Sequence, residues 1–196
     1  MQFHQFTTAT LLSTAWKNGR GATREIVAWP PGSDLGSFCW RVSIATIGAS
    51  APFSSFEGVD RTIMLLSGPG VHLRSAEGRV DHRLNQAWQP FSFPGDVAME
   101  CEVLGSEESS DFNVMTRRPS YRSETRVLRA RAPLEPARFG LVLGLRGTWQ
   151  VGAAPAQYRI TPGAGLWWES GAPSKGPLLA NSVGGDDSAL IYVRMA

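Results

Sequence analysis

Lysine is nearly absent from this chain of 196 residues. Only Lys17 and Lys175 are lysines, so arginine supplies 17 of the 19 basic residues. The formal net charge is +2, which is too small to draw the whole protein to nucleic acid or to a membrane surface by bulk attraction. We therefore expect any contact with an anion to use individual arginines, because the planar guanidinium pairs with a carboxylate through two parallel hydrogen bonds.

Cysteine is also scarce, with only Cys39 and Cys101 in the chain. Both lie in apolar, strand-like segments, which favours small buried hydrophobic residues in a reducing compartment over a disulfide. Two thiols without a histidine at ligand spacing are a weak metal site. We therefore expect neither a structural disulfide nor a thiolate-bound metal.

Long hydrophobic runs are missing. No apolar stretch approaches the roughly 20 residues that a membrane-spanning helix needs. Residues 1–6 lack a basic segment followed by a hydrophobic core, so they do not read as a secretory signal. The sequence predicts a cytoplasmic protein.

Turn-forming residues are plentiful, with 21 glycines and 13 prolines scattered among short apolar runs. This pattern favours many strands joined by turns, and the fold class it predicts is all-β. The clearest strand spans residues 38–45, where Phe38, Trp40, Val42 and Ile44 alternate with smaller or polar residues. Its other face carries an arginine and a serine, and periodicity leaves open whether that face meets solvent or a cavity.

Two segments flanking this strand are rich in polar and aromatic residues. Residues 16–29 contain two glycines and several hydrogen-bonding side chains, but they lack the spacing of a phosphate-binding loop. Residues 51–61 form a turn-rich connection with Phe53 and Phe56 that leads into the apolar run 62–66. Such a loop between two buried strands suits a binding site.

The second half of the chain repeats the pattern of the first. Residues 139–147 resemble residues 63–70, and residues 160–163 resemble residues 93–95. This repeat predicts two tandem β-barrels packed as one compact unit. We place the first barrel and the N-terminal segment in residues 1–118, and a connecting strand and the second barrel in residues 119–196.

Several strings in the first half resemble one known family. In their order along the chain they are similar to the HutD/Ves family, and they cover most of residues 10–118. The strings are Trp16 to Gly19, Thr23 to Ile26, Trp40 to Ala45, Pro52 to Phe56, Gly58 to Arg61, and Asp111 to Met115 with Arg117 and Arg118.

This resemblance implies a bicupin fold and a role in histidine utilisation or stress response. For the HutD branch it implies regulation through binding of formylglutamate, with no established enzymatic reaction. The family's glycine loop normally reads Trp-Lys-Asn-Gly-Gly-Gly, and here Arg20 replaces the middle glycine. If that position requires a positive φ, Arg20 adds on the order of 1–2 kcal/mol of strain.

We expect a non-catalytic protein that binds a small acid in its first barrel, between aromatic walls and convergent polar groups. For Arg61 the structural alternative is an ion pair with Asp60 or with another carboxylate. The residues expected to contact the ligand are Trp16, Asn18, Thr23, Glu25, Trp40, Arg41, Ser43, Phe53, Phe56 and Arg61.

Other functions are less favoured by the residues. Cupin enzymes usually hold a metal through three histidines and a glutamate, whereas this chain has only His4, His72 and His82, so we expect no metal and no cofactor. The alternative is a metal-independent, isomerase-like cupin enzyme with Glu25 or His72 as its base.

The arginine-rich residues 117–131 are a third-ranked candidate for nucleic-acid binding, but they favour a solvated connecting strand. We therefore expect an acidic small molecule as the partner, without nucleic acid or membrane, and leave a homodimer open.

Overall fold

The structure is a computed structural model that describes residues 1–153, 155–171, 178–183 and 187–196. Its regular segments are strands apart from one 3₁₀ turn, Thr8–Thr10. No helix in the described part of the chain is long and apolar enough to cross a membrane. The strands are β1 Gln2–Thr7, β2 Ser13–Ala15, β3 Gly21–Trp29, β4 Trp40–Ile47, β5 Ala51–Phe53, β6 Val59–Ser67, β7 Val71–Ser75, β8 Asp81–Leu84, β9 Phe91–Pro94, β10 Met99–Val103, β11 Ser109–Arg117, β12 Ser123–Leu128, β13 Ala132–Leu134, β14 Phe139–Arg146, β15 Trp149–Ala153, β16 Ala156–Ile160, β17 Ala164–Glu169, β18 Leu178–Ser182 and β19 Ala189–Met195.

The chain divides into two compact units. The first barrel comprises Leu11–Arg122, and the second comprises Met1–Thr10 together with Ser123–Ala196. The sequence-based boundary after residue 118 therefore lies four residues early, and its assignment of the N-terminal segment to the first barrel was wrong. The reason is strand pairing, because β1 runs antiparallel to β17 and so completes a sheet of the second barrel.

The first barrel consists of two sheets, with strand orders β2-β3-β4-β11-β6-β9 and β5-β10-β7-β8. Apolar residues of both sheets meet in one core. Ile63 and Leu65 reach it from β6, Leu73 from β7, and Met99 and Cys101 from β10. The inner face of the six-stranded sheet is therefore the face that carries Ile63 and Leu65.

The second barrel has the same plan, with strand orders β1-β17-β14-β19-β12 and β13-β18-β15-β16. Its core is built around three large aromatic side chains, Trp149, Trp168 and Tyr192, all essentially fully buried. Each strand from β4 to β11 has a counterpart from β12 to β19, and the order of these strands is the same in both barrels; β3 beside β4 and β1 beside β17 lie outside the repeat. The repeat predicted from the sequence is thus present in the structure as a repeat of strand order.

A β-bulge at the same place in both barrels aligns strands β6 and β11 with strands β14 and β19. The β6–β11 pair shifts register so that Leu66 has no partner, and the β14–β19 pair shifts in the same way at Leu145. In each pair the residue without a partner forms a β-bulge, and the pairing on either side of it is regular. For these two strand pairs the offset between the halves is therefore 79 residues, so that Leu65 corresponds to Gly144. The sequence pattern matches residue 139 with residue 63 and residue 160 with residue 93, and both of these offsets are too short.

Candidate ligand-binding site in the first barrel

The inner face of the six-stranded sheet is polar at its centre. Directly opposed residues of antiparallel strands share a face, and the registers set Ser43 beside Glu25 on one side and Asn113 on the other. The same face carries the core residues Ile63 and Leu65. We call its polar members the polar cluster: Thr23, Glu25, Arg41, Ser43, Arg61, Asp111 and Asn113.

Arg61 is the buried cation of the polar cluster, with only 7% of its surface exposed. Its Nη1 donates to the carbonyl oxygen of Ser54 at 2.9 Å, and its Nη2 donates to Oδ1 of Asn113 at 2.8 Å. Its Nε has no hydrogen-bond partner among the described residues. The ion pair with Asp60 considered from the sequence is absent, because Asp60 pairs with Arg118 at 3.3 Å.

Aromatic rings surround the Arg61 guanidinium. Its central carbon lies 4.3 Å from the ring centroid of Phe53, 5.4 Å from that of Phe93 and 5.6 Å from that of Phe56, distances at which the ring faces attract a cation. Burial, followed by the nearby positive charge of Arg41, lowers the pKa of Arg61 to about 9. The group therefore stays cationic at neutral pH, although no carboxylate among the described residues forms an ion pair with it.

Arg41 connects the buried part of the polar cluster to its exposed part. Its Nε donates to Oε2 of Glu25 at 2.7 Å, and its Nη1 donates to Oγ of Ser43 at 3.4 Å. The Arg41 side chain is 13% exposed, whereas that of Glu25 is 46% exposed. Beside this pair, the indole Nε1 of Trp16 donates to Oγ1 of Thr23 at 2.8 Å. The polar cluster therefore runs from solvent at Glu25 to the buried Arg61.

Two members of the polar cluster, Asp111 and Asn113, were missed by sequence reasoning. Both lie on β11 and face inward with at most 4% of their surface exposed. The alternation of Asp111 and Asn113 with apolar residues matches that of Arg41 and Ser43 on β4, and this was the signal available. Strand pairing brings the two patterns together, which is information that a single strand does not contain.

Asp111 differs from its neighbours in having no partner. Its exposure is 0%, and neither carboxylate oxygen has a hydrogen bond among the described residues. Burial raises the pKa of Asp111 to about 7. Burial also raises the pKa of Cys101 to about 12, with the charge of Asp111 as a second cause.

Two of the ten predicted ligand residues lie apart from the polar cluster. Trp40 is on the opposite face of β4, where it stacks on Trp29 with ring centroids 6.3 Å apart. Asn18 is exposed in the loop before β3, and its Oδ1 accepts a hydrogen bond from the backbone of Arg20 at 3.0 Å. Trp40 is thus a packing residue and Asn18 stabilises a turn. Contact of either residue with a ligand stays a prediction.

The strain expected at Arg20 is also absent. The positive φ in this loop belongs to Gly19, at +68°, and Arg20 is free to direct its Nη1 to the carbonyl oxygen of Ser50. The position that requires glycine is Gly21, because a Cβ there would lie 2.3 Å from the backbone oxygen of Thr46. An arginine at the middle glycine position therefore fits the loop.

Among the described residues, the second barrel does not repeat the buried Arg61, Asp111 and Asn113, although Arg126 and Glu124 on β12 take the places of Ser43 and Arg41. Trp168 fills its interior and rests on Gly140, where an added Cβ would lie 2.1 Å from the indole ring. With the 79-residue offset, the places of Arg61, Asp111 and Asn113 are taken by Gly140, Leu190 and Tyr192. The fully buried centre of the sheet is thus charged and polar in the first barrel and apolar and aromatic in the second.

Two clefts are lined by residues of the first barrel, and neither is lined by a member of the polar cluster. One, of about 560 Å³, is lined by Phe53, Arg74, Met99 and Glu100 among others. The other, of about 480 Å³, lies between the glycine loop and Glu108. Phe53 is the only predicted site residue that lines either cleft.

The histidine predicted as a base lies outside the barrel interior. His72 alternates with the core residues Val71 and Leu73 on β7 and therefore points to the other face. Its Nε2 is hydrogen-bonded to Oδ1 of Asp81. Among the described residues, no group of three or more histidines, cysteines or carboxylates is arranged to hold a metal ion.

The arginine-rich segment is largely engaged within the protein. Arg117 donates to backbone oxygens of residues 36 and 38, and Arg118 pairs with Asp60 and Asp96. Arg126 on β12 pairs with Glu124 and Glu135. The absence of a nucleic-acid partner stays a prediction.

Comparisons with known proteins agree with this fold. The HutD family model matches residues 8–183. Protein Ves from Cronobacter sakazakii is 38% identical over 157 residues, which are 80% of this chain and 82% of that protein. HutD from Pseudomonas fluorescens SBW25, solved in a formate condition, superposes with a TM-score of 0.82 at 24% identity and 100% coverage of both chains.

A more distant structure identifies the barrel type. A cupin 2 conserved barrel domain protein from Leptotrichia buccalis superposes with a TM-score of 0.59 at 8% identity, covering 98% of this chain and 96% of that one. Together with the repeated topology, this confirms the predicted all-β bicupin fold. Because the family model covers most of its length, the chain belongs to the HutD/Ves family.

Proposed function

We propose that this HutD-family protein binds a small acid of the formylglutamate type in its first barrel without transforming it. The observation that carries this proposal is Arg61, a buried cation with an unpartnered Nε and no ion pair among the described residues. An unpaired charge inside a protein is costly, by several kcal/mol. A ligand carboxylate would supply the missing counter-charge and accept from Nε.

The surroundings of Arg61 suit such a ligand. Three phenylalanine rings give apolar walls around the guanidinium, and Arg41 and Ser43 add donors toward the exposed rim. Sites for small molecules commonly combine apolar walls with a few convergent polar groups. Glu25, which holds Arg41 at the rim, is the group that an entering carboxylate would displace.

Binding without catalysis is favoured over the metal-independent enzyme. Of the two bases considered from the sequence, Glu25 is held by Arg41 and His72 faces away from the core. The regulatory part of the proposal, in histidine utilisation or stress response, rests on membership of the family. In that role the bound acid would report the level of a metabolite.

The proposal is tested by calorimetric titration and thermal unfolding with N-formylglutamate and related small acids. A ligand at 100 times its dissociation constant adds about 2.7 kcal/mol to the free energy of unfolding, which for a chain of this size raises the melting temperature by roughly 5–10 °C. Arg41→Gln should weaken binding by about tenfold or more, because a charge-assisted contact is lost.

Arg74→Gln is the matched control. Arg74 is 55% exposed, pairs with Glu102, and lines the 560 Å³ cleft instead of the polar cluster. We expect this variant to bind like the wild type. Loss of binding in Arg74→Gln with retention in Arg41→Gln would move the site to that cleft, and the absence of binding by all small acids would refute the proposal.

A further inference from the structure

Asp111 is the charged group of the first barrel whose role is not explained by binding of a carboxylate. Its side chain is fully buried, and both of its oxygens lack hydrogen-bond partners among the described residues. It is two residues from Asn113 on the same face of β11, hence about 7 Å away along the strand. A ligand carboxylate bound at Arg61 would therefore leave the oxygens of Asp111 without a hydrogen-bond partner.

The fold itself does not require an acidic residue at this position. The second barrel has the same bulge and the same strand pairing, yet its equivalent residue is the buried Leu190. Burial raises the pKa of Asp111 to about 7, so near neutral pH a substantial fraction of this group is ionised in an apolar setting. A buried acceptor that packing does not need points to a donor that arrives with the ligand.

We infer that Asp111 accepts a hydrogen bond from an N–H group of the bound acid, so that the ligand is an amino-acid derivative with a carboxylate at Arg61 and an amide or ammonium nitrogen at Asp111. This inference rests on the proposed function and adds a selection rule to it. Arg61 and Arg41 select for the acid, and Asp111 selects against diacids without nitrogen, because these leave its oxygens unpaired.

Three ligands with the same five-carbon diacid skeleton separate these roles. Glutarate has no nitrogen, L-glutamate has an ammonium group, and N-formyl-L-glutamate has a secondary amide. We expect the wild-type protein to bind at least one nitrogen-bearing acid tenfold or more tightly than glutarate. Whichever of the two binds more tightly identifies the form of the nitrogen.

Two variants test whether Asp111 is the source of this preference. Asp111→Leu introduces the residue of the second barrel, and Asp111→Asn keeps the size of the side chain. We expect Asp111→Leu to bring the affinity ratio between the nitrogen-bearing acid and glutarate close to one, with glutarate binding retained or improved. Because the ratio is measured within each variant, a general loss of stability would not produce this result.

The outcomes distinguish the inference from the proposed function. If the wild type binds glutarate as tightly as the nitrogen-bearing acids, or if the ratio survives both substitutions, the inference is wrong while acid binding stands. If none of the three acids binds, both fail. If Asp111→Leu loses binding of the nitrogen-bearing acids but keeps binding of glutarate, both the inference and the proposed function are supported.

Discussion

Two residues of the first barrel, Arg61 and Asp111, are ionisable groups buried without an ion pair among the described residues. They are far enough apart along the inner face that neither neutralises the other, because Arg61 lies opposite Met115 and Asp111 opposite Leu65. Each therefore lowers the stability of the unliganded protein. Residues that weaken a fold in this way are commonly retained for a function.

The pH dependence of stability tests the state of Asp111. Its pKa is raised from an ordinary value of 3.8 to about 7, so between these values the folded protein holds a proton that the unfolded chain releases. Stability should therefore fall as the pH rises from about 4 to about 7, by roughly 2–4 kcal/mol, and then level off. Among the described residues, the charged and titratable groups on the inner faces of the first barrel include Glu25, Arg41, Arg61 and Cys101.

Asp111→Asn should remove this contribution and leave the variant more stable than the wild type at about pH 8 but not at about pH 4. Urea unfolding at the two pH values measures the difference. Equal stability changes at both pH values would mean that Asp111 is ionised throughout and that its burial is compensated.

Most of the polar cluster could be predicted from the sequence, because the alternation of polar and apolar residues is visible within a single strand. Thr23, Glu25, Arg41 and Ser43 lie on strands whose alternation is visible along the chain. Arg61 was also identified, although its partners were not, since Ser54 and Asn113 reach it through tertiary structure.

At the scale of elements, the strands of both halves follow the apolar and turn patterns of the sequence closely. The pairing of β1 could not be predicted in this way. Its partner β17 is more than 150 residues away along the chain, and nothing in a six-residue strand identifies so distant a partner. The division into 1–118 and 119–196 failed for this reason. The sequence also could not show that Trp40 lies away from the polar cluster, because the face to which an aromatic residue on an alternating strand points is known only once the core is known.

The interior of the second barrel depends on the contact between β14 and β17. Gly140 leaves the space that the indole ring of Trp168 occupies. Gly140→Ala should destabilise the protein by about 1–3 kcal/mol, because the added methyl group overpacks the core. Gly171→Ala is the control, since a Cβ at that position meets nothing within 4 Å.

Trp168→Phe should reduce the effect of Gly140→Ala, because the ring atoms closest to the new Cβ belong to the part of the indole that phenylalanine lacks. Thermal unfolding of the two single variants and the double variant gives the coupling. Additive effects would show that the barrel relaxes elsewhere and that this contact does not set the core.

At the scale of the whole molecule, one topology is used for two different interiors. The repeat preserves the bulge, the strand orders and the glycine at the turn after each bulged strand, Gly68 and Gly147. It changes the side chains that point inward, from arginine, aspartate and asparagine to glycine, leucine and tyrosine. The first barrel thereby keeps buried charges at its centre, where we propose that a ligand binds, and the second fills its centre with aromatic rings.

A crystal structure of the protein with N-formyl-L-glutamate is the most direct test of ligand binding in the first barrel. We predict ligand density in the first barrel, with a carboxylate oxygen within about 3 Å of Arg61 Nε and a second contact to Arg41. Ligand density in the second barrel, in the cleft beside Arg74, or in the first barrel without contact to either arginine would contradict the account.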